Sequence, residues 1–574
     1  MVATTRNEET RGLAREKATL ETLSGSQMVC EVLVREGVEV VFGYPGGQVI
    51  PLYHVLPDYP LRHVLVRHEQ AAAHAADGYA RATGRVGVCI ATSGPGATNL
   101  VTGIATAYLD SSPVVAITGQ VPTSLLGRNS FQEVNICGIT QPITKANFLV
   151  TDAREVGPVL REAFRTAQSG RPGPVLVDLP RDVLTGKAPF VYSPRGEARE
   201  QRTRLLAGAQ QVRRAAALIR EAKRPLILAG RGVQLAEATH ELRRLAEAGN
   251  IPVVSTMMGL GSFPGSHPLY FGMVGMHGRA YANRALCLCD LVLAVGTRLG
   301  DRTTAKASAF APQARLVHLD VDPAEIGKNV PADVPLVGDV RLGLAALLAE
   351  GVAGDRAAWL ALLEQWRGEG RRPSATAGDR VSPPQVIAAL HRQTAGEAVV
   401  VTDVGQHQLW AAQHYVYDRP RSFISSGGLG TMGFGLPAAL GAKLGRPEAK
   451  VWAVVGDGGL QMNSQELATV AQEGAAVKIA LMNNGFLGMV RQWQELFFDR
   501  RYSASPLLGP DFVQLAAAYG VPARRVERAG EVAEALAWAE AVAGPALVEF
   551  VVAPEENVYP MVPPGKSLAD VIEG

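Results

Sequence analysis

The sequence predicts an α/β protein built from three consecutive doubly wound parallel-sheet domains. Three observations predict it. Val- and Ile-rich strand-like runs alternate with Ala-rich helical stretches along most of the 574 residues, the pattern of parallel sheets covered by helices. Hydrophobic residues make up 47% and charged residues 19%, enough apolar side chain to bury large cores. Two polar stretches, 193–204 (SPRGEAREQRTR) and 367–384, the second rich in Gly, Arg, Ser and Pro, divide the chain into parts of similar size and read as linkers.

Taken in order, residues 1–22 are polar and carry Glu8, Glu9 and Glu16. They lack the apolar core of a secretory signal and are too acidic for a transit peptide, so a disordered tail is expected. The first domain, 23–190, should hold strands at 38–43, 64–66, 85–92, 113–119 and 174–180. The third of these runs into Ser-Gly-Pro-Gly and a helix through Tyr108. The middle domain, 205–365, has strand-like runs at 225–229, 251–255, 291–295 and 316–319. The last domain, 384–560, has them at 398–403, 450–455 and 477–482, and 561–574 reads as a C-terminal tail. A formal net charge of +2 offers no nucleic-acid groove and no membrane-binding face, and no apolar run is long enough to span a bilayer. Cys30, Cys89, Cys137, Cys287 and Cys289 lie in apolar stretches with no zinc or disulfide spacing. They are expected to be buried thiols in a reducing cytoplasm of a prokaryote.

Residues 451–484 carry the most chemistry. A strand (VWAVV) runs into Gly456-Asp457-Gly458-Gly459, then a helix, then a strand (VKIALM) ending in Asn483-Asn484-Gly485. A lone Gly-Asp-Gly is a common turn. Within a βαβ unit it puts Asp457 and Asn484 at the carboxyl ends of two strands, where open α/β sheets bind ligands. A carboxylate and an amide oxygen are hard donors suited to Mg²⁺, which keeps phosphate oxygens and water as its other ligands. The glycines let backbone N–H groups approach a phosphate. With 24 residues between GDG and NN, the segment resembles the thiamine-diphosphate motif of its enzyme superfamily. That resemblance implies Asp457, Asn484 and the Phe486 carbonyl as metal ligands. It also implies Gly405, Gln406 and His407 (TDVGQH), with Gly458, Gly459 and Leu487, around the diphosphate.

Thiamine chemistry needs a carboxyl group hydrogen-bonded to the cofactor's pyrimidine ring. Glu69, at a strand-to-helix junction in RHEQ…HAADGYAR, resembles that activating glutamate, and Met432 in GGLGTMGFGLPAA resembles the bulky residue that props the cofactor into a V shape. Over residues 21–574 the chain resembles the large, catalytic subunits of acetolactate synthases. FGYPGG, RHEQ, TSGPGATNL, FQEVNICGITQPITK, AEIGKN, GGLGTMGFGLPAA, GDGGLQMNSQEL, NNGFLGMVRQWQELFF and ENVYPMVPPG are among the strings that carry the resemblance. It implies a pyrimidine-binding first domain, a central FAD-binding domain and a diphosphate-binding last domain. The implied reaction decarboxylates pyruvate and transfers a hydroxyethyl unit to pyruvate or 2-ketobutyrate, in branched-chain amino-acid biosynthesis.

The same resemblance implies Gln132 and Lys145 as catalytic residues beside Glu69. Gly47, Phe131, Arg302, Met489, Val490 and Trp493 would surround the substrate. Arg171, Gly230, Gly232, Thr256, His277, Gly296, Arg298, Asp320 and Asp339 would hold an FAD without a redox role. Here the chain departs from the family, reading Arg298-Leu299-Gly300-Asp301-Arg302 where Arg-Phe-Asp-Asp-Arg is usual, and Arg181 replaces a more usual Lys. A homodimer or homotetramer and a separate small regulatory subunit are implied as well. The rivals are glyoxylate carboligase, which lacks the glutamate, sulfoacetaldehyde acetyltransferase, pyruvate oxidase, and a non-catalytic nucleotide-binding homologue. Glu69, Asp457 and Asn484 argue against the first and the last.

Overall fold

The computed structural model describes residues 21–192, 207–369 and 379–574. The linker 193–204, nearly all of the tail 1–22 and part of the stretch 367–384 lie outside them. Three six-stranded, wholly parallel sheets follow one another along the chain. The first holds β1 (Val40–Tyr44), β2 (Arg62–Leu65), β3 (Gly87–Ala91), β4 (Val114–Gln120), β5 (Ala146–Leu149) and β6 (Val175–Pro180), in the spatial order β2-β1-β3-β4-β6-β5. The middle sheet holds β7 (Pro225–Ala229), β8 (Val253–Ser255), β9 (Tyr270–Met273), β10 (Leu291–Val295), β11 (Arg315–Asp320) and β12 (Val334–Val337), ordered β9-β8-β7-β10-β11-β12. That is the strand order of dinucleotide-binding sheets, whose crevice opens where the order reverses, between β7 and β10. The third sheet holds β13 (Val399–Thr402), β14 (Phe423–Ser425), β15 (Val451–Gly456), β16 (Val477–Asn483), β17 (Ala523–Val526) and β18 (Ala546–Val551), ordered β14-β13-β15-β16-β18-β17. It repeats the first sheet's topology strand for strand.

The central strands are those with unbroken Val, Ile, Leu and Ala runs, because a parallel strand covered by helices is buried on both faces. All seven residues of β4 are buried, as are all six of β15. The expected α/β class with three parallel sheets is the architecture observed. The sequence reading omitted β5, β9, β12, β14 and β17, all edge strands, and also β18.

The first and third sheets share one apolar core, which runs from Val40 and Phe42 through Phe434 and Leu436 to Val451 and Ile479. At its centre two small-residue helices cross, α1 (Glu69–Thr83) and α2 (Gly435–Gly445). A Cβ on Gly78 would overlap the Ala438 carbonyl oxygen, and one on Gly441 would overlap that of Ala75. The two backbones therefore touch with nothing between them.

A buried charge knot ties all three domains together. The Arg81 guanidinium donates to Asp77 at 2.7 Å, to Asp110 at 2.8 Å and to the Ser425 carbonyl. Asp110 accepts the N–H groups of Gly427 at 3.1 Å and Gly428 at 2.7 Å, and its own carbonyl accepts from Arg231 of the middle domain.

Residues 561–574, read as a tail, are part of the folded body. Met561, Val562 and Leu568 are fully buried, the last two against the middle domain's apolar cluster, and the Val562 N–H donates to the Met276 carbonyl. The apolar residues of a segment of mixed polarity found a complementary surface that local sequence could not reveal. No helix among the described residues is long and apolar enough to cross a membrane. The five cysteines are free thiols; Cys30, Cys89 and Cys289 are buried and the other two partly so.

Candidate active site

Glu69 is the first residue of α1, just past the end of β2. Its Oε2 accepts an N–H from Asn99 at 2.9 Å. Its Oε1 faces Gly96, where a Cβ would stand 3.2 Å away. Gly94 (φ +60°) takes a left-handed conformation, and a Cβ there would lie 2.8 Å from that of Gln132. Glu69, Gly94, Gly96, Asn99 and Gln132 thus come together in one floor past the carboxyl ends of β2, β3 and β4. Gln48 donates its N–H to Thr92 at 3.3 Å, while the buried Gln48 Oε1 and Ser93 Oγ have no partner. Gly47 adjoins them with open space where a side chain would be. Phe131 is 86% exposed, an apolar ring presented outward beside this floor.

Lys145 is not gathered there. Its ammonium donates to the carbonyls of Thr166 and Ser169 at the end of the helix Val156–Gln168, where a cation meets unpaired carbonyls and the negative end of the helix dipole.

The second assembly sits at the carboxyl ends of β13, β15 and β16. Asp403, 1% exposed and pushed up to about 6 by burial, accepts the N–H groups of Gly433 and Gly435 at 3.0 and 2.8 Å. It thereby fixes the turn that carries Met432. A Cβ on Gly459 would crowd the Asp403 carboxylate, so this position must be bare. Gly458 faces Leu487, Met432 and Leu507, whose methyls would stand 3.0–3.4 Å from an added Cβ. Asp457 begins the helix Asp457–Met462, and burial pushes its carboxyl up to about 6. Asn484 donates to Gln406 Oε1 at 3.1 Å, and its Oδ1 accepts the Phe486 N–H at 3.1 Å. Gln406 passes the chain on to Gln492 Oε1 and the Glu556 carbonyl, each at 3.0 Å. The His407 ring packs against Gly405 and Gly456, where an added Cβ would stand 2.9 Å from it, and burial holds its imidazole down to about 3, so it stands neutral.

Two buried atoms here have no partner in the protein, Asp457 Oδ2 and His407 Nε2. Buried polar atoms are seldom left unpaired, and Asp457 is itself the first residue of a glycine-flanked helix start. No three His, Cys, Asp or Glu side chains gather as a metal centre among the described residues. One carboxylate, one amide oxygen and one carbonyl instead suit a cation that keeps phosphate oxygens as ligands. The residues present therefore fit a Mg²⁺–diphosphate group. Helix α3 (Gly488–Phe497) leads away from this point. Phe486 precedes the helix. Its ring lies under the Arg491 guanidinium, with 5.5 Å between the guanidinium carbon and the ring centre. Met489 is half-buried, Val490 is exposed, and Trp493 meets Phe497 edge-on. No hydrogen bond or ion pair joins this assembly to the Glu69 floor among the described residues.

Three thiamine pyrophosphate enzyme family models match the chain: the N-terminal TPP-binding domain over residues 23–139, the central domain over 212–347 and the C-terminal TPP-binding domain over 403–550. The acetolactate synthase large subunit IlvB1 of Mycobacterium tuberculosis is 51% identical over 96% of this chain and 91% of its own length. The acetolactate synthase large subunit of Corynebacterium glutamicum is 48% identical over 96% and 91%. The probable acetolactate synthase large subunit of Methanocaldococcus jannaschii is 47% identical over 96% and 95%. The chain belongs to the acetolactate synthase large-subunit family.

In this acetolactate synthase family member the middle sheet opens onto a cleft of 1320 Å³. Of the residues expected around a flavin, Arg171, Gly232, Thr256, Gly296, Arg298, Asp320 and Asp339 line it, and so does Arg302. Gly230 and His277 stand behind the wall. A Cβ on Gly230 would overlap the Gly296 carbonyl, and His277 Nδ1 lies 3.2 Å from the Pro560 carbonyl oxygen. Asp339 caps the next helix by accepting the Leu342 N–H at 3.0 Å. Leu299, where the family usually has Phe, turns into the apolar core at 2% exposure with φ +50°, and Gly300 leaves its part of the lining open. Arg302 is mostly exposed beside Asp301, 3.3 Å away. Sequence reading missed Asp110, Arg231 and residues 427–430, which also line the cleft. The last four lie inside GGLGTM, a string it assigned to the thiamine site alone. It missed Asn99 as well, although that residue sits in the TSGPGATNL string.

Proposed function

We propose that the chain is the catalytic subunit of an acetolactate synthase that binds thiamine diphosphate, Mg²⁺ and a non-redox FAD. It decarboxylates pyruvate and joins the remaining two-carbon unit to a second 2-ketoacid. Pyruvate as acceptor gives 2-acetolactate, toward valine and leucine. 2-Ketobutyrate gives 2-aceto-2-hydroxybutyrate, toward isoleucine. The observation that carries the reading is the pair of unpartnered buried atoms, Asp457 Oδ2 and His407 Nε2, in a chain about half identical to acetolactate synthase large subunits.

Bound thiamine diphosphate would supply the electron sink for the pair released as CO₂ departs. Every other contribution comes from the chain. Asp457, Asn484 and the Phe486 carbonyl would hold the metal, with Gln406 orienting Asn484. Glu69 Oε1 would hold a proton against the pyrimidine ring nitrogen, while Asn99 fixes the other carboxylate oxygen. Gly94 and Gly96 leave room for a flat ring, and Met432 and Leu487 form an apolar prop over Gly458. Gln132 and Gly47 would border the reacting carbon. The Arg302 fork matches the two oxygens of an acceptor carboxylate. Met489, Val490 and Trp493 would exclude water and sense the acceptor's alkyl chain. The cleft of the middle sheet would take the FAD.

Among the described residues no hydrogen bond or ion pair links the Glu69 floor to the Asp457 assembly within one chain, and Phe131 is exposed beside the first. A second copy of the chain would complete each site, so the working unit is at least a homodimer. A small regulatory subunit joins it in this reading, and the whole works in the cytoplasm. The test is product identification from pyruvate with purified protein, thiamine diphosphate, Mg²⁺ and FAD. 2-Acetolactate with the flavin spectrum staying oxidised is expected. Acetate or acetyl phosphate formed with flavin bleaching would replace this reading with an oxidase.

A further inference from the structure

Strand β18 carries a carboxylate that the proposed chemistry does not use. Glu549 is 2% exposed in the middle of the third sheet. Each of its oxygens accepts one strong hydrogen bond: Oε1 from Asn483 Nδ2 at 2.7 Å and Oε2 from Arg525 Nε at 2.8 Å. Asn483 ends β16, next to the proposed metal ligand Asn484. An ionised carboxylate can only accept, so it turns the Asn483 NH₂ toward itself and the Asn483 oxygen the other way. That oxygen accepts the Gly485 N–H at 3.1 Å. Gly485 lies between Asn484 and Phe486 in a left-handed conformation (φ +66°), one that glycine adopts freely among others, so hydrogen bonds select it. A second hold comes from the far side, where the Gly485 carbonyl accepts the Leu507 N–H at 2.8 Å.

We propose that Glu549 is a positioning residue for the metal turn: by fixing the Asn483 side-chain amide it pins Gly485, so that the Asn484 oxygen and the Phe486 carbonyl face the cation together. The inference rests on the reading of Asn484 and Phe486 as Mg²⁺ ligands. The plainer role for Glu549 is an ion pair with Arg525 that ties β17 to β18, and the experiment separates the two.

In Glu549→Gln the introduced amide must offer its oxygen to Arg525 and its NH₂ to Asn483. Two NH₂ groups then face each other, or Asn483 flips and turns a donor toward the Gly485 N–H. Adding Asn483→Asp to Glu549→Gln restores the pattern with roles reversed, since the introduced carboxylate accepts from both neighbours. Mg²⁺ is titrated into the full-length protein with thiamine diphosphate present, and binding is read from tryptophan fluorescence. Thermal unfolding of the metal-free proteins is measured alongside. Glu549→Gln should raise the half-saturating Mg²⁺ concentration at least ~10-fold, the usual cost of losing a partner behind a metal ligand, with little change in metal-free unfolding. The double variant should return most of that loss. Unchanged Mg²⁺ affinity in Glu549→Gln would overturn the proposal. So would a double variant no better than the single one, or an affinity loss matched by loss of metal-free stability. A wild-type protein showing no Mg²⁺-dependent thiamine diphosphate binding would instead remove the functional reading beneath it.

Discussion

Glu69 shows how a residue's role depends on the two atoms it leaves free or engages. Asn99 holds one carboxylate oxygen, and the other faces Gly96, a residue with no side chain to block a ring. Glu69→Gln should keep the Asn99 contact, fold normally and lose about 10²–10⁴-fold in turnover, the usual worth of a positioned proton carrier. Steady-state rates set beside an unfolding curve decide the matter, and near-wild-type turnover would remove Glu69 from the reaction. Asp457, Asn484, Glu69 and Gln132 could be proposed from the sequence because they sit in strings with fixed spacing. Lys145 was read into the pocket from such a string, yet its ammonium is taken up by helix-end carbonyls 20 or more residues further on. A motif records which residue is present, and the fold decides which acceptors reach it first. Asn483 and Glu549 were invisible as a pair because 66 residues separate them.

At the scale of elements, the central strands were readable from their unbroken apolar runs. The edge strands Ala146–Leu149, Phe423–Ser425 and Ala523–Val526 are short or carry polar and charged residues, so periodicity gave no sign of them. Ala546–Val551 was missed although it is internal, since Glu549 interrupts its apolar run. The pairing of Glu69–Thr83 with Gly435–Gly445 depends on glycine at the crossing. Gly78→Ala should force the helices apart and cost about 1–3 kcal/mol, as overpacked cores do; thermal unfolding would show a lowered midpoint, and an unchanged one would mean the helices part freely. A second contact between these domains runs through Glu466 of the helix Glu466–Gln472, which is fully buried and accepts the Arg67 N–H at 2.9 Å. Burial pushes its carboxyl up to about 7. The folded protein therefore holds this proton at pH values where the unfolded chain, titrating at about 4.3, has released it. Its contribution to stability is full at low pH and falls as pH rises from about 4.5 to 7. Glu466→Gln cannot titrate there, so its stability relative to wild type should improve by about 2–3 kcal/mol between pH 5 and 7. Denaturant unfolding at the two pH values measures the gap, and a constant gap would show that Glu466 titrates normally in the folded protein.

At the scale of the whole molecule, the proposal that two copies of the chain share each site predicts complementation between defective chains. Glu69→Gln and Asp457→Ala should each be nearly inactive alone. If each site draws one half from each copy, a mixed dimer has one doubly damaged site and one intact site. Random exchange of equal amounts should then restore about a quarter of wild-type activity, as two-fold symmetry with shared sites requires. Mixing after subunit dissociation and reassociation, with activity followed over time, tests this; no recovery despite proven exchange would place both halves in one copy. The charge knot around Arg81 has a consequence for how the chain is made. Its first members, Asp77, Arg81 and Asp110, leave the ribosome together, but Arg231 follows much later, and Ser425, Gly427 and Gly428 later still. Until then the first domain has emerged whole in sequence and unfinished in charge, with Asp110 turned toward amides that have not yet been synthesised. Domains in a growing chain ordinarily fold in the order they appear. Here the first domain to appear should be among the last to finish, and a nascent chain stalled before residue 425 should remain open at this seam.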